Sequence, residues 1–294
     1  MRPLPLPGTR RARALVASCA LAAATVVFAA GSQVTAAPAT AAAAETNRGA
    51  KPTVVLVHGA WADASSWNAV TARLQHAGYT VYAPPNPLRG VSQDARTLES
   101  FVASIPGPVV LVGHSYGGMV ITNAAAKAGN VKALVYDNAY IPDEGETVFQ
   151  INAARPGSCV TAEPTTFLNL VPYPGGPSGD VDAYLKWAPD GTYEGFRGCF
   201  ANGVPAGRAR LLAAGQRPFA VSAGSEPSGA PAWKSLPSWA VIGTTDHVIP
   251  PAEQRSMARR AHAHVTEVPA GHLSLVTRPD VVTRVIVEAA ETVR

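Results

Sequence analysis

One short stretch near the middle of the chain constrains its fold more than any other. Residues 109–112 are Val-Val-Leu-Val, an apolar and largely β-branched run that is typical of a buried strand. The run ends in Gly-His-Ser-Tyr-Gly at 113–117, and an alanine-rich segment of helical character follows. A strand, a Gly-x-Ser-x-Gly turn and a helix in this order are the context of a nucleophile elbow. We therefore predict that Ser115 is a catalytic nucleophile; the alternative is a glycine-rich turn with an incidental serine.

The predicted partners of Ser115 follow from what a serine nucleophile requires. Its hydroxyl needs a histidine to take the proton, and that histidine needs a carboxylate to orient it and stabilise its cation. Asp246 and His272 each follow a predicted strand, and sites of parallel sheets lie beyond the carboxyl ends of strands. The order Ser, Asp, His along the chain is typical of one class of hydrolase. Asp137 also follows a strand and remains the alternative acid.

Strands and helices alternate through most of the chain. Residues 65–78 and the segment after Ser92 are predicted to be helices, each beginning at a serine cap. Short connections between alternating elements force parallel neighbours, so the pattern predicts an α/β fold with a mostly parallel sheet flanked by helices. With 294 residues the chain has room for one large domain, predicted at 45–294. The predicted strands lie at 52–57, 79–83, 109–112, 131–136, 238–242 and 264–268.

The alternation breaks down between residues 138 and 231. Proline and glycine are frequent there and aromatic residues are scattered through the segment, with short helices predicted around 180–187 and 204–214. A stretch of this length is too long for a plain loop in a compact domain. We predict an inserted lid over the site, and its aromatic content favours an apolar substrate pocket.

Residues 1–44 have the pattern of a secretory signal peptide. Four arginines, at 2, 10, 11 and 13, precede an apolar run of alanine, leucine and valine, and small residues follow it. The run is too short and alanine-rich for a membrane span. The rest of the chain carries 20 basic and 20 acidic side chains, so it has no net positive charge that would attract nucleic acid or an acidic membrane. We therefore expect neither nucleic-acid binding nor stable membrane association. The prediction is a secreted protein.

The three cysteines divide between the two parts of the chain. Cys19 lies in the predicted signal peptide, which leaves Cys159 and Cys199 as an even pair in an exported protein. A disulfide is the natural interpretation, and two free thiols are the alternative. Closing a loop of about 40 residues would stabilise the fold by roughly 3–4 kcal/mol in the chain-entropy model.

No cofactor or metal is predicted. The sequence has no glycine-rich phosphate loop, no dinucleotide fingerprint and no cysteine–histidine spacing of a metal site. His262 and His264 resemble a metal pair only superficially, because histidine is favoured near the C-terminus of a helix by the helix dipole.

Four sequence blocks together resemble a known family. From about Thr53 to its end the chain resembles an α/β-hydrolase. Within that superfamily it is similar to the plant methyl-esterase and hydroxynitrile-lyase group and its bacterial esterase relatives. The blocks are His-Gly-Ala-Trp at 58–61, Gly-His-Ser-Tyr-Gly-Gly at 113–118, Thr-Asp-His-Val-Ile-Pro at 245–250 and Gly-His at 271–272. The resemblance implies an oxyanion hole formed by the backbone amides of Ala60 and Tyr116.

Two departures from the group bear on the expected reaction. The lyase members have a threonine after the first histidine and a lysine after the catalytic histidine, where this chain has Gly59 and Leu273. We therefore expect a secreted, cofactor-free serine hydrolase, a carboxylesterase that acts on small or medium apolar esters. The alternatives are an amide, lactone or C–C bond hydrolase with the same triad, or a non-catalytic ligand-binding relative. The oligomeric state is left open.

Overall fold

The computed structural model describes residues 49–173, 175–188 and 195–293. The predicted signal peptide at 1–44, with Cys19, lies outside the described residues. Among the helices of the described ranges, none is long and apolar enough to cross a membrane.

Six strands form one sheet, and every neighbouring pair in it is parallel. The nine strands of the described residues are β1 Thr53–Val57, β2 Val81–Tyr82, β3 Val109–His114, β4 Val131–Asp137, β5 Leu168–Val171, β6 Asp182–Leu185, β7 Phe219–Ala220, β8 Ser238–Gly243 and β9 His264–Val268. The order of the six strands in the sheet is β2-β1-β3-β4-β8-β9. The direction of strand succession reverses between β1 and β3, and in open α/β sheets the ligand site lies at such a switch point.

The central strands are buried on both faces, as their apolar sequences predict. All six residues of β3 and all six of β8 are buried. β1 pairs with β3 in a register that sets Val55 opposite Leu111. A strand covered on both faces reads as a continuous apolar run rather than as an alternating one, which explains why these strands could be recognised in the sequence.

Helices connect the strands and pack on the sheet and on one another. The helices are α1 Asn68–His76, α2 Val91–Ala103, α3 Gly117–Ala125, α4 Val148–Ala153, α5 Pro164–Phe167, α6 Ala206–Ala214, α7 Val221–Ser225, α8 Pro251–Arg260, α9 Ser274–Thr277 and α10 Pro279–Glu291. α1 packs against α10, α2 packs against α3, and α10 also contacts β4. Short 3-10 turns lie at Ala64–Trp67, Cys159–Thr161 and Ala232–Lys234.

Both predicted serine caps are wrong. The first helical segment begins with the 3-10 turn, where Asp63 accepts a hydrogen bond from the Ser65 amide at 2.8 Å. α2 begins one residue before Ser92, directly after Gly90. The Ser92 amide donates to the Glu226 carboxylate at 3.0 Å, so a distant side chain satisfies the helix N-terminus. Local sequence cannot reveal such a tertiary cap.

The segment 138–231 lies between β4 and β8 and carries a second, antiparallel sheet of the order β5-β6-β7. The helix predicted around 180–187 is wrong, because residues 182–185 form β6. β6 is paired on both sides, with Leu170 opposite Ala183 and Ala183 opposite Phe219. Tertiary pairing therefore overrides local helical character there. The helix predicted at 204–214 is confirmed as α6.

Candidate active site

Ser115 lies on a sharp turn between β3 and α3. Its backbone has a φ of 55°, in the left-handed region that costs a non-glycine residue energy and is common at functional sites. The turn is closed by the Gly118 amide, which donates to the Ser115 carbonyl at 2.9 Å. The strained serine backbone that is typical of a nucleophile elbow is therefore present.

Neighbouring backbone leaves no room for side chains around this turn. A Cβ atom at Gly117 would lie 2.5 Å from the Val57 carbonyl oxygen, and one at Gly113 would lie 2.7 Å from the Gly117 carbonyl carbon. Both distances are shorter than real Cβ contacts. The glycines are required because α3 starts against the ends of β1 and β3.

Gly59, on the loop after β1, faces Ser115 directly. A Cβ atom there would lie 2.6 Å from Ser115 Cβ and 2.8 Å from the His114 carbonyl oxygen.

Gly59→Ala is therefore expected to lower kcat at least about tenfold and to destabilise the fold by about 1–3 kcal/mol, as overpacking does. Ester hydrolysis and urea unfolding measure the two effects. Gly129→Ala is the matched control, because nothing lies within 4 Å of a Cβ at Gly129. If both variants had the same kcat and the same free energy of unfolding, the steric crowding at Gly59 would be contradicted.

His272 and Asp246 form a fully buried pair. His272 Nδ1 lies 2.8 Å from Asp246 Oδ2, and neither side chain is exposed. The same carboxylate accepts hydrogen bonds from the Val248 amide at 2.7 Å, the Ile249 amide at 3.1 Å and Gln254 Nε2 at 2.7 Å. These donors hold the carboxylate in place at the end of β8.

The Asp246 contact determines which nitrogen of His272 carries the proton. An ionised carboxylate can only accept, so Nδ1 must donate to it and Nε2 is left with a free lone pair. His272 Nε2 is buried and has no hydrogen-bond partner within the described ranges. The ring is thus in the tautomer that a general base for a serine hydroxyl requires.

The alternative acid, Asp137, contacts a different group. It ends β4 and is completely buried, and the Ser274 hydroxyl donates a hydrogen bond to its Oδ1. Burial raises the pKa of Asp137 to about 7. Between Asp137 and His272 no hydrogen bond is found in the described part of the chain. Asp137 therefore holds the segment after His272, whereas Asp246 holds the imidazole itself.

The amides of Ala60 and Tyr116 have the features of a pair of oxyanion donors. Both residues are buried, and both line one cavity together with Ser115. Over the described residues, neither backbone amide donates a hydrogen bond to the protein. Buried amides without a partner are rare, and donors aimed at a reacting centre are one setting in which they occur.

His58 anchors the loop that carries Ala60. Its Nε2 accepts from the Asn86 amide at 3.0 Å, and its Nδ1 lies 3.0 Å from the Gly59 carbonyl oxygen. Burial lowers the pKa of His58 to about 4, so the ring is neutral. A neutral imidazole bonded on both sides fixes the loop and is not available as a base.

A buried acid that sequence analysis did not select holds the side chain of Tyr116. The Tyr116 hydroxyl donates to Asp94 Oδ2 at 2.9 Å, and the Arg89 amide donates to both Asp94 oxygens at 3.2 Å. Burial raises the pKa of Asp94 to about 6. Asp94 stands in the first turn of α2, where an acidic residue is usually explained by the helix dipole, so the sequence offered no distinguishing signal.

Two asparagines, which sequence analysis also missed, contact the loops that carry Asp246 and His272. Asn138 donates to the carbonyl oxygens of Gly271 and His272 at 2.8 and 2.9 Å. Asn202 donates to the Thr245 carbonyl oxygen at 2.6 Å and accepts from the His272 amide at 3.3 Å. Asn138 directly follows β4 and has a positive φ of 43°, a conformation that asparagine tolerates better than most residues.

Cys159 and Cys199 meet beside the loop of Asp246. Their Cα atoms are 5.7 Å apart, within the usual range, and the structure joins them as a disulfide. The Cys159 amide donates to the His247 carbonyl oxygen at 2.8 Å. His247 Nδ1 in turn lies 2.8 Å from the Gly198 carbonyl oxygen. Both cysteine segments are therefore fastened to the residue that follows Asp246.

The cavity beside Ser115 is largely apolar. It holds about 520 Å³ of unfilled space, part of which is open to solvent. The segment 138–231 supplies most of its wall, as expected of a lid. The lining residues are Ala60, Trp61, Ser115, Tyr116, Tyr140, Val148, Phe149, Asn152, Val160, Phe167, Leu168, Ala183, Phe219, Val221 and Val248.

Within the described ranges no group of three or more histidine, cysteine or acidic side chains is placed to hold a metal ion. His264 lies on β9 with its ring stacked on Trp239, the ring centres 5.0 Å apart. His262 lies two residues beyond the end of α8 and has a φ of 51°. The two histidines thus have separate structural surroundings.

Comparison with known proteins assigns the fold to a family. A sequence model described as the alpha/beta hydrolase family matches residues 54–285. The chain belongs to the alpha/beta hydrolase family. The predicted α/β-hydrolase fold, with its parallel sheet flanked by helices, is thereby confirmed, and with it the prediction of a hydrolase enzyme.

The similar proteins include several named as esterases. A carbendazim-hydrolysing esterase of Nocardioides sp. (strain SG-4G) is 38% identical over 112 residues, 33% of this chain and 46% of that enzyme. The match thus spans about half the length of that relative. Among solved structures, polyneuridine aldehyde esterase is 21% identical with a TM-score of 0.65, covering 81% of this chain and 99% of that one. A methylesterase of Arabidopsis is 19% identical with a TM-score of 0.64, covering 82% and 99%.

Proposed function

We propose that this alpha/beta hydrolase is a serine carboxylesterase that cleaves apolar esters through a Ser115–His272–Asp246 triad. One observation carries the proposal: His272 is held by Asp246 in the tautomer that leaves Nε2 free, in a fold whose elbow carries Ser115. The esterase names of its relatives support the same reaction class.

In the proposed acylation step, Ser115 Oγ attacks the ester carbonyl carbon and gives its proton to His272 Nε2. The carbonyl oxygen becomes an oxyanion, which accepts hydrogen bonds from the amides of Ala60 and Tyr116. Each such donor typically stabilises the transition state by about 3–4 kcal/mol. The carbon–oxygen bond of the ester then breaks, and His272 returns the proton to the departing alcohol.

In the proposed deacylation step, water takes the place of the alcohol. His272 Nε2 accepts a proton from water as the oxygen attacks the acyl carbon, and the same two amides hold the second oxyanion. The bond to Ser115 Oγ breaks, and the serine recovers its proton from His272. Asp246 stabilises the imidazolium in both steps without taking its proton.

The contacts of Gly59 support hydrolysis over cyanohydrin cleavage. The hydroxynitrile lyases of the group that this chain resembles carry a threonine at this position. In the observed conformation even a Cβ atom at Gly59 would lie 2.6 Å from Ser115 Cβ. The apolar wall of the cavity in turn supports an apolar acyl or alcohol group in the substrate.

A substrate panel tests the proposed reaction class. We expect purified protein to hydrolyse p-nitrophenyl butyrate and octanoate well above the buffer rate, and the corresponding p-nitroanilides at least about 100-fold more slowly. Faster cleavage of anilides would assign the site to amide hydrolysis. Binding of the esters without turnover would favour the non-catalytic alternative.

We further propose that the protein is exported and that Cys159 and Cys199 are oxidised in its folded form. The pattern of residues 1–44 supports export, and the 5.7 Å separation of the two Cα atoms supports the disulfide. Non-reducing peptide mapping of secreted protein would identify a Cys159–Cys199 peptide pair and the processed N-terminus together.

Loss of the disulfide is expected to affect both stability and activity. Cys159→Ser with Cys199→Ser should lower the free energy of unfolding by roughly 3–4 kcal/mol, for a loop of sequence separation 40. It should also lower kcat, because both cysteine segments fasten the loop of Asp246. Urea unfolding and ester hydrolysis measure the two effects. Dithiothreitol should destabilise the parent protein and not the double variant; equal sensitivity of the two would contradict the disulfide.

A further inference from the structure

Asn152 is a polar side chain of the apolar cavity that the proposed reaction does not use. Asn152 lies on α4, is 2% exposed and lines the cavity together with Ser115. Its Oδ1 accepts a hydrogen bond from the Tyr140 hydroxyl at 3.1 Å. For its Nδ2 no hydrogen-bond partner is found among the residues that the structure describes.

The Tyr140 hydroxyl determines which end of the amide is left free. In the described part of the chain, Asn152 Oδ1 is the hydrogen-bond partner of this hydroxyl, and Tyr140 is itself buried. If the amide were turned around, Nδ2 would donate to Tyr140 and the hydroxyl proton would lose its acceptor. A buried hydroxyl without an acceptor is unfavourable, so Oδ1 stays on Tyr140 and the two N–H bonds of Nδ2 remain available.

The other polar side chains of the cavity wall are occupied. Trp61 Nε1 donates to the Ala183 carbonyl oxygen at 3.0 Å, and the Tyr116 hydroxyl donates to Asp94 at 2.9 Å. Among the lining residues, the side-chain polar groups left for a ligand are therefore those of Ser115 and Asn152. Ser115 serves the reacting carbonyl, and Asn152 offers a hydrogen-bond donor to another part of the same molecule.

We propose that Asn152 donates a hydrogen bond to a second acceptor of the substrate. The preferred substrates are then apolar esters that carry a further carbonyl or ether oxygen away from the bond that is cleaved. This inference rests on the proposed esterase function and narrows its substrate class. An ester without the second oxygen leaves a buried N–H bond unsatisfied on binding, which lowers its transition-state binding.

Matched substrate pairs test the assignment. p-Nitrophenyl hexanoate is compared with its 4-oxo and 5-oxo derivatives, which have the same chain length and differ in one carbonyl group. The readout is the ratio of kcat/KM for the better oxo ester to that for the plain ester. We expect Asn152→Leu to lower this ratio about tenfold, the order of one lost hydrogen bond. Tyr140→Phe, which frees the amide to turn, is expected to give an intermediate ratio.

Two further variants separate recognition from a merely structural role. Asn152→Ala removes the donor without adding bulk to the cavity, so it should lower the ratio even if the leucine variant fails to fold. Ala153→Ser lies on the same helix with an exposed side chain and should keep the parent ratio. The same ratio in the parent and in both Asn152 variants would overturn the inference while ester hydrolysis stands. Failure of the parent protein to cleave any of these esters would overturn the proposed function itself.

Discussion

Ser115→Ala is expected to lower kcat for p-nitrophenyl butyrate by about 10⁴-fold or more. The substitution removes the hydroxyl oxygen of Ser115 and leaves the amides of Ala60 and Tyr116 and the cavity in place, and triad serines typically contribute this much. Initial rates at saturating ester, with the rate in buffer subtracted, measure the loss. Because the variant keeps the substrate site, KM or an inhibitor constant should change far less than kcat.

A surface serine provides the control for this variant. Ser104, directly after α2, is exposed, and its hydroxyl donates to the Phe101 carbonyl oxygen at 2.6 Å. Ser104→Ala should retain the parent kcat, and both variants should show the parent melting temperature within a few degrees. A Ser115→Ala protein that folds and turns over the ester at the parent rate would contradict the proposed mechanism.

Asp246→Asn is expected to lower kcat by about 10³–10⁴-fold. The amide nitrogen of an asparagine would be a donor facing His272 Nδ1 and Gln254 Nε2, where the aspartate accepts. His272 Nδ1 would then have to accept, its proton would move to Nε2, and the base would lose the lone pair that receives the serine proton. kcat, together with circular dichroism to check the fold, measures the effect.

Asp137→Asn is the matched comparison, because it changes the competing acid in the same way. The Ser274 hydroxyl can still donate to the remaining oxygen, and His272 keeps its contact with Asp246. We expect a decrease in kcat of about tenfold or less. If Asp137→Asn were the more damaging substitution, the carboxylate of the triad would have to be reassigned from Asp246 to Asp137.

Much of the fold was predictable because its signals are local. The central strands are buried on both faces, so they appear in the sequence as continuous apolar runs, and the elbow has its own five-residue pattern. Asp246 and His272 could be selected because each follows a strand, and the carboxyl ends of parallel strands meet at one edge of the sheet. The structure brings these two side chains together; their catalytic roles stay predictions.

The groups that position the site were not predictable in the same way. Asn202 reaches His272 from a segment rich in proline and glycine, whose path depends on pairing between β5, β6 and β7. Glu226 caps α2 from a distance of more than 100 residues in sequence, since its partner amide belongs to Ser92. The free Nδ2 donor of Asn152 can be recognised only in the structure, where the Tyr140 hydroxyl donates a hydrogen bond to Asn152 Oδ1. Such contacts are tertiary, and neither composition nor periodicity carries a signal for them.

Covalent labelling of the purified protein tests the assignment of Ser115 as the nucleophile. The protein is treated with a fluorophosphonate, digested, and mapped by mass spectrometry. We expect one phosphonylated residue, Ser115, with labelling slowed strongly in His272→Ala and absent in Ser115→Ala. Labelling at another residue, or no labelling of a folded protein that hydrolyses esters, would contradict it.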